Sequence, residues 1–266
     1  MGADIKSLRV RIKSVRSTQH LTKAMGLVAS SKIRKSNINM AKSAEYSNTV
    51  FETISELTAC RECQKSPFMR EGGNNLRLIV IAGDRGLAGG YNANIFRLMR
   101  EYSDAEVLPI GKRACERYGK DTVLAETFSY KDAQLMAKKL CEDFAKGEFD
   151  KLGIVYTKYH SMMSQEASIR YLLPLEKSES DKSVGTIFEP DELTVLNAAV
   201  PEYVTGVLMA CVKESVASEV AARRVAMDSA DKNAQEMLSN LSLEYNRARQ
   251  SSITQEITEI VAGSGL

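Results

Sequence analysis

The 266-residue sequence contains no tryptophan, only 5 prolines and only 6% aromatic residues. Because proline breaks helices, its scarcity favours a largely helical chain. The 36 lysines and arginines nearly balance the 34 aspartates and glutamates, so the net charge of +2 gives no support for nucleic-acid or membrane-surface binding. No uninterrupted apolar run approaches the roughly 20 residues that cross a bilayer. We therefore expect no direct membrane insertion.

Cysteine and histidine are also too sparse to predict a metal or cofactor site. The five cysteines are an odd, scattered set, which argues against a disulfide framework. Cys60 and Cys63 form a C-x-x-C pair, but no second pair supplies the other two zinc ligands. His20 and His160 lie in no metal-binding pattern. We predict no metal, no cofactor and no catalytic residue.

Both ends of the chain are predicted to be long helices. Proline is absent from residue 4 to about residue 59, and apolar residues there recur at three- and four-residue spacing: Ile5, Leu8, Ile12 and Val15. The same face then continues with Gln19, Thr22 and Gly26, while a second apolar stripe consists of Leu21, Met25 and Val28. Near the other end a seven-residue repeat joins Val220, Met227, Ala234, Leu241 and Ala248. In a coiled coil a second position of each heptad also faces the partner helix. We call these the companion positions and expect them at Arg223, Ala230, Met237 and Glu244.

Between these helices the pattern changes to short apolar strands alternating with helices. The predicted strands are 76–82, 107–110, 152–157 and 169–175, and a helical pattern covers 131–144. This alternation predicts an α/β fold, with a central Rossmann-like domain on a mostly parallel sheet. The terminal helices are expected to pair as a long antiparallel coiled coil. The predicted division is 1–59 for the first helix, 60–75 for a linker, 76–199 for the globular domain and 200–266 for the last helix.

The glycine-rich segment GDRGLAGGYN follows the first strand, where backbone amides could hold a phosphate. It matches neither the Walker loop nor the dinucleotide fingerprint. We therefore interpret Gly83, Gly86, Gly89 and Gly90 as a structural turn. A nucleotide-binding α/β enzyme stays open as an alternative function.

The charge is concentrated at the amino end, where residues 1–42 hold ten basic side chains and one acidic one. A basic coiled-coil adaptor for nucleic acid is therefore a second alternative. Apolar stripes interleaved with the charges, and no aromatic residue before Tyr46 to stack on bases, favour a protein partner instead.

Three segments carry a resemblance to a known family. They are 14–35 (SVRSTQHLTKAMGLVASSKIRK), 83–92 (GDRGLAGGYN) and 218–266, which includes YNRARQSSITQEITEIVAGSGL. In this order they resemble the signature segments of F-type ATP synthase gamma subunits. The family commonly has Lys at the position of His20 and often Cys at that of Ala88, and neither departure affects a predicted role. The cysteine-bearing insertion of chloroplast members is absent, so thiol regulation is not predicted.

The resemblance implies a non-catalytic rotor shaft that turns inside three alpha and three beta subunits and couples ion-driven rotation to ATP synthesis or hydrolysis. Its globular part would sit on the epsilon subunit and on the c-ring of the membrane sector. Without a transit peptide, we expect a peripheral protein on the cytoplasmic face of the bacterial plasma membrane.

The resemblance also assigns residues to these contacts. Rotor–stator contacts with the beta subunits are implied for Lys13, Arg16, Lys23, Met25, Arg249, Gln250 and Thr254. Because the last sixteen residues contain only two charges, we expect an apolar bearing tip at Ile253, Ile257, Ile260 and Val261.

Overall fold

The computed structural model describes residues 2–70, 72–178 and 188–263. The first and the last elements of the chain are two very long helices, α1 and α5, and all other elements lie between them in the sequence. The elements are α1 (Gly2–Ala59), β1 (Leu76–Ile81), α2 (Tyr91–Leu98), β2 (Glu106–Ile110), α3 (Lys112–Tyr118), α4 (Tyr130–Lys146), β3 (Lys151–Ser161), β4 (Ser164–Leu173) and α5 (Glu192–Gly263). Short 3-10 turns cover Glu62–Lys65, Pro67–Met69 and Met99–Tyr102.

The four strands form one sheet in the order β2-β1-β3-β4. β1 is parallel to both of its neighbours, and Ile79 is paired with Leu108 on β2 and with Ile154 on β3. The predicted mixed α/β fold with a mostly parallel sheet is therefore confirmed. β4, however, is antiparallel to β3 and joined to it by a hairpin with Met162 and Met163 at the turn.

Apolar side chains from β1 point alternately into two cores, because successive strand residues face opposite sides of a sheet. Ile79 and Ile81 belong to the larger core, together with residues of α4, of α5 and of the end of α1. Leu78 and Val80 belong to a second core with α2 and α3. Both faces of the sheet are thus covered, which gives a three-layer arrangement.

Helix α5 begins at Glu192, before Pro201 and before residue 200, where the last helix was predicted to start. Asp191 caps its amino end, where the carboxylate accepts hydrogen bonds from the backbone N–H of Thr194 (2.9 Å) and from its hydroxyl (2.8 Å). Helical turns on both sides of Pro201 bury Leu196, Val200 and Val204 in the larger core. This burial explains how the helix tolerates an internal proline. The predicted domain boundaries stay a prediction.

By its internal contacts the chain divides into two compact units. We call Met1–Ser30 with Arg223–Leu266 the terminal unit and Ser31–Ala222 the central unit. In the terminal unit, Arg9 donates a hydrogen bond to the Tyr245 hydroxyl (2.9 Å), and a Cβ built on Gly26 would lie 3.5 Å from Cβ of Met227. Later residues of α1 therefore contact earlier residues of α5, so the two helices run antiparallel as predicted.

The face of α1 that packs against α5 in the terminal unit is the predicted one. Gln19 and Thr22 are partly buried, and Gly26 and Ala29 are buried, on the line that begins at Ile5. On α5, Met227, Ala234 and Leu241 are buried as the heptad repeat predicts. The predicted companion positions are wrong at Met237 and Glu244, which are exposed. The partly buried companions lie one residue further along, at Asp231, Leu238 and Tyr245.

One 18-residue stretch within α5 reaches a mean hydropathy of 1.5 and is thus apolar enough to cross a membrane by composition. However, 61% of this stretch is buried inside the protein. Helix α5 thus has the features of a core helix, and its residues Leu196, Val204 and Val212 belong to the larger core.

Candidate functional site

The glycine-rich segment between β1 and α2 is a tight turn of the central unit. Gly89 has a φ of 58°, which glycine adopts readily, and Leu87 has a similar φ of 59° at a higher steric cost. A Cβ on Gly83 would lie 2.9 Å from Cδ of Glu219. In contrast, a Cβ on Gly86 would lie 3.5 Å from its nearest neighbour and one on Gly90 would lie 3.7 Å from its own, so both positions have room for a side chain. The turn role assigned to all four glycines stays a prediction.

The backbone amides of this turn already hold side-chain acceptors. The N–H of Gly83 donates to Oδ1 of Asn92 (2.9 Å), and the N–H of Arg85 donates to Oε1 of Glu219 (3.3 Å). Glu219 is a buried residue of α5, and a carboxylate in this place would repel a phosphate. The Tyr91 hydroxyl also donates to the Ser215 carbonyl of α5 (3.0 Å). The segment therefore attaches the sheet to α5, and this geometry disfavours a nucleotide site.

Asp84 organises the other side of the turn, and the sequence reasoning missed it. Its Oδ1 accepts the N–H of Lys112 (3.1 Å) and of Ala125 (2.9 Å), and its Oδ2 accepts the N–H of Glu126 (2.8 Å). One carboxylate thus satisfies the first turn of α3 and the chain that leads to α4. An acidic residue shortly after a buried strand was the available signal.

The three basic side chains predicted to contact the stator, Lys13, Arg16 and Lys23, are exposed on α1, and Met25 is partly buried. At 100° per residue the three basic side chains lie within an arc of about 80° around α1. Arg249, Gln250 and Thr254 are exposed on α5, where the Thr254 hydroxyl donates to the Gln250 carbonyl (2.9 Å).

The structure does not bring the two predicted groups together. Because residue 9 lies opposite residue 245, Arg249 lies opposite about residue 5 of α1. At 1.5 Å per residue, it is about 12 Å along the helix axis from Lys13 and about 27 Å from Lys23. The two groups would therefore meet different parts of a surrounding partner.

Apolar side chains on the terminal unit are exposed to an extent that a self-contained coiled coil does not need. On α1 the exposed residues are Val10, Leu21, Leu27 and Val28, with 57–63% of each surface accessible. The predicted bearing residues of α5 are exposed as well: Ile253, Ile257, Ile260 and Val261. Because α1 begins opposite about residue 252, the last turns of α5 extend beyond the paired region. Exposed apolar groups of this extent are typical of interaction surfaces.

The cysteine, histidine and acidic side chains of the described residues are the groups that a metal site would need. Among the described residues no three His, Cys, Asp or Glu side chains are placed to hold a metal ion. Cys63 is buried, and burial together with the neighbouring Cys60 thiol raises its pKa to about 12. Both thiols are free.

Comparison with known proteins decides the family. The sequence profile of the family described as ATP synthase matches residues 4–265. A gamma chain of ATP synthase from Ruminococcus albus is 41% identical over 98% of both chains. The gamma chain from Clostridium perfringens is 35% identical over 99% of this chain and 98% of that one. The chain belongs to the ATP synthase gamma-chain family.

Solved structures agree with this family in fold. A chain of the mitochondrial ATP synthase of Euglena gracilis, in a structure with OSCP, F1 and c-ring, has a TM-score of 0.69 at 20% identity and covers 100% of this chain and 97% of that one. A chain of the central stalk and c-ring structure from Tetrahymena thermophila has a TM-score of 0.63 at 21% identity, covering 79% and 99%. As a gamma chain, the protein is a non-catalytic subunit of F-type ATP synthase.

Proposed function

We propose that this gamma chain is the rotor shaft that couples rotation of an ion-driven ring to the catalytic sites of ATP synthase. The terminal unit would turn inside a ring of alpha and beta subunits, and the central unit would be attached to the epsilon subunit and the c-ring. The observation that carries this proposal is the long antiparallel helix pair with exposed apolar and basic side chains. The Euglena structure with F1 and c-ring and the Tetrahymena structure of central stalk and c-ring support it.

The coupling would arise because the shaft is asymmetric. A ligand shifts a conformational equilibrium only through different interaction free energies with the two states. A shaft with basic residues on one arc of α1 and with Arg249 at another level presents a different surface to each of three identical beta subunits. Turning the shaft would then change which beta conformation is favoured.

Two kinds of contact would divide this work. Apolar contacts lack direction, so Ile253, Ile257, Ile260 and Val261 would form a bearing that resists rotation little. Hydrogen bonds from charged groups depend on direction, so Arg249 with Gln250 and Thr254 would supply angular preference. Lys13, Arg16, Lys23 and Met25 would face an acidic segment of the beta subunit.

The bacterial relatives support a location on the cytoplasmic face of the plasma membrane, as part of the complex. There the protein would be peripheral, because the apolar stretch of α5 lies largely in the protein interior.

Replacement of Arg249 by Ala tests the proposed coupling. We expect the assembled complex with Arg249→Ala to pump several-fold fewer ions per ATP hydrolysed, while the unfolding midpoint of the isolated chain is unchanged because Arg249 is exposed. Lys232→Ala is the control, since Lys232 is an exposed basic residue of the same helix. Pumping and hydrolysis are measured on reconstituted vesicles. An unaltered ratio of pumped ions to ATP with Arg249→Ala would remove this residue from the mechanism.

A further inference from the structure

A cleft of about 270 Å³ opens in the central unit between α1, α5 and the chain that leads to α4. Its polar lining consists of Lys32, Lys35, Ser36, Asn39, Glu126 and Lys213. Apart from Glu126, which lies 3.8 Å from Arg85 of the turn, these side chains take part neither in the turn nor in the predicted stator contacts. Three lysines around one concave space are an arrangement that electrostatic self-repulsion disfavours unless a negative charge is present.

Lys213 is the unusual member of this set. It is partly buried on α5, and its ammonium group donates to a neutral acceptor, the Phe128 carbonyl (3.1 Å). Burial lowers the pKa of Lys213. Among the described residues no carboxylate pairs with this partly buried cation, and partial burial of a cation without such a partner costs free energy.

Among the described residues that line the cleft, Glu126 supplies the carboxylate, which is already shared between two cations. Glu126 forms an ion pair with Lys32 and also lies 3.8 Å from the guanidinium of Arg85. The second lysine of α1, Lys35, is exposed at the rim. The lining therefore retains a positive excess after Glu126 is counted.

We infer that this cleft binds a small phosphate-type anion, either inorganic phosphate or the phosphate group of a small ester. Lys213 and Lys35 would supply charge, and Ser36 and Asn39 would supply hydrogen-bond donors. The volume lies just under the roughly 300 Å³ at which pockets for drug-sized ligands begin, so a single phosphate group fits better than a whole nucleotide. This inference does not depend on the proposed rotary function.

Calorimetric titration of the purified full-length chain with inorganic phosphate at low ionic strength tests the site. We expect saturable binding that weakens by about tenfold with Lys213→Gln, since one charge-assisted hydrogen bond is lost. The matched control is Lys138→Gln, which removes an exposed lysine of α4 and should bind phosphate like the unmodified chain. A parallel titration with glycerol phosphate identifies the source: tighter binding of the ester supports a small phosphorylated metabolite, and tighter binding of the free ion supports phosphate itself.

A thermal unfolding series separates loss of the site from loss of the fold. Without phosphate, Lys213→Gln should unfold at the same or a higher temperature, because it removes a partly buried cation. Added phosphate should raise the unfolding midpoint of the unmodified chain and of Lys138→Gln, but not that of Lys213→Gln. The inference is wrong if all three chains bind phosphate equally or not at all. It is also wrong if a polyglutamate peptide binds while neither phosphate compound does, which would identify an acidic protein segment as the occupant.

Discussion

The two units of this gamma chain use the same two helices for opposite purposes. In the central unit, α1 and α5 bury Leu57, Val204 and Leu208 completely in a core that also holds Phe144 and Ile154. In the terminal unit, the helix pair buries small side chains such as Ala29 and Ala234, while Leu21 and Val28 point outward. The central unit thus encloses large apolar groups of both helices in one core, whereas the terminal unit buries Met227 and Leu241 but leaves several of its large apolar groups exposed.

This difference teaches that the stability of the molecule and its binding surface are separated. Burial of apolar area is the main source of folding free energy, so the central unit holds most of the stability. The terminal unit keeps exposed apolar area that a partner can cover. A thin helix pair of this kind is suited to act inside a complex.

The largest expected effect comes from emptying the core of the central unit. Phe144→Ala should lower the free energy of unfolding by about 3–5 kcal/mol, because Phe144 is fully buried against Phe68 and Phe149. Leu241→Ala in the terminal unit should cost about 2 kcal/mol, at the low end for a buried leucine. Urea unfolding followed by circular dichroism measures both. Equal losses would contradict the separation of stability between the units.

The second effect concerns the turn of the central unit. Asp84→Ala should lower the unfolding free energy by about 2 kcal/mol, because three backbone N–H groups lose a charged acceptor. Asp121→Ala, an exposed aspartate nearby in the sequence, should change it by less than about 0.5 kcal/mol. The same urea experiment compares them. If both substitutions behave alike, Asp84 does not organise the turn.

The third effect has the opposite sign. Asp231 lies on the packed face of the terminal unit, and its Oδ1 is buried without a hydrogen-bond partner among the described residues. Asp231→Leu should therefore stabilise the helix pair by about 1 kcal/mol. Hydrogen exchange of residues 223–245 should slow down with this variant. Glu236→Leu adds the same side chain at an exposed position, and slower exchange there as well would attribute the gain to helix propensity alone.

The last and smallest prediction concerns how fast the thiols of the folded chain react. Burial raises the pKa of Cys63, Cys141 and Cys211 to about 12, so at pH 8 they are almost entirely protonated and unreactive. The folded chain should react quickly with a thiol reagent at the partly exposed Cys60. All five thiols should react after unfolding. Rapid reaction of more than one thiol in the folded chain would show that the central core opens easily.

The sequence predicted the helix pair and the sheet because their signals are local. Apolar residues at three- and four-residue spacing identify the packed face of α1, and the run Leu78 to Ile81 identifies a buried strand. The hairpin between β3 and β4 was not predicted, because its turn at Met162 and Met163 lacks glycine, asparagine and proline. The start of α5 at Glu192 was not predicted, because Pro201 lies inside the helix and proline rarely does so.

The sequence predicted features of the candidate site only where the type of residue itself indicates the structure. The exposed apolar end of α5 follows from its composition, and the glycines identify the turn. The role of Glu219 depends on a contact with Arg85 across 134 residues of the chain, which spacing alone does not reveal. The companion face of α5 was assigned one residue out of place at Met237, since Leu238 and Met237 are both apolar and a heptad fits either.

The most direct test of the paired shaft is a disulfide across it. In a chain whose five native cysteines are replaced, Gly26→Cys with Met227→Cys should cross-link completely on mild oxidation, because the two Cβ atoms lie about 3.5 Å apart. Gly26→Cys with Ala234→Cys, seven residues out of register and about 10 Å further along the helix, should stay reduced. No cross-link in the first chain would contradict the pairing of the two helices, and a cross-link in the second chain alone would contradict its register.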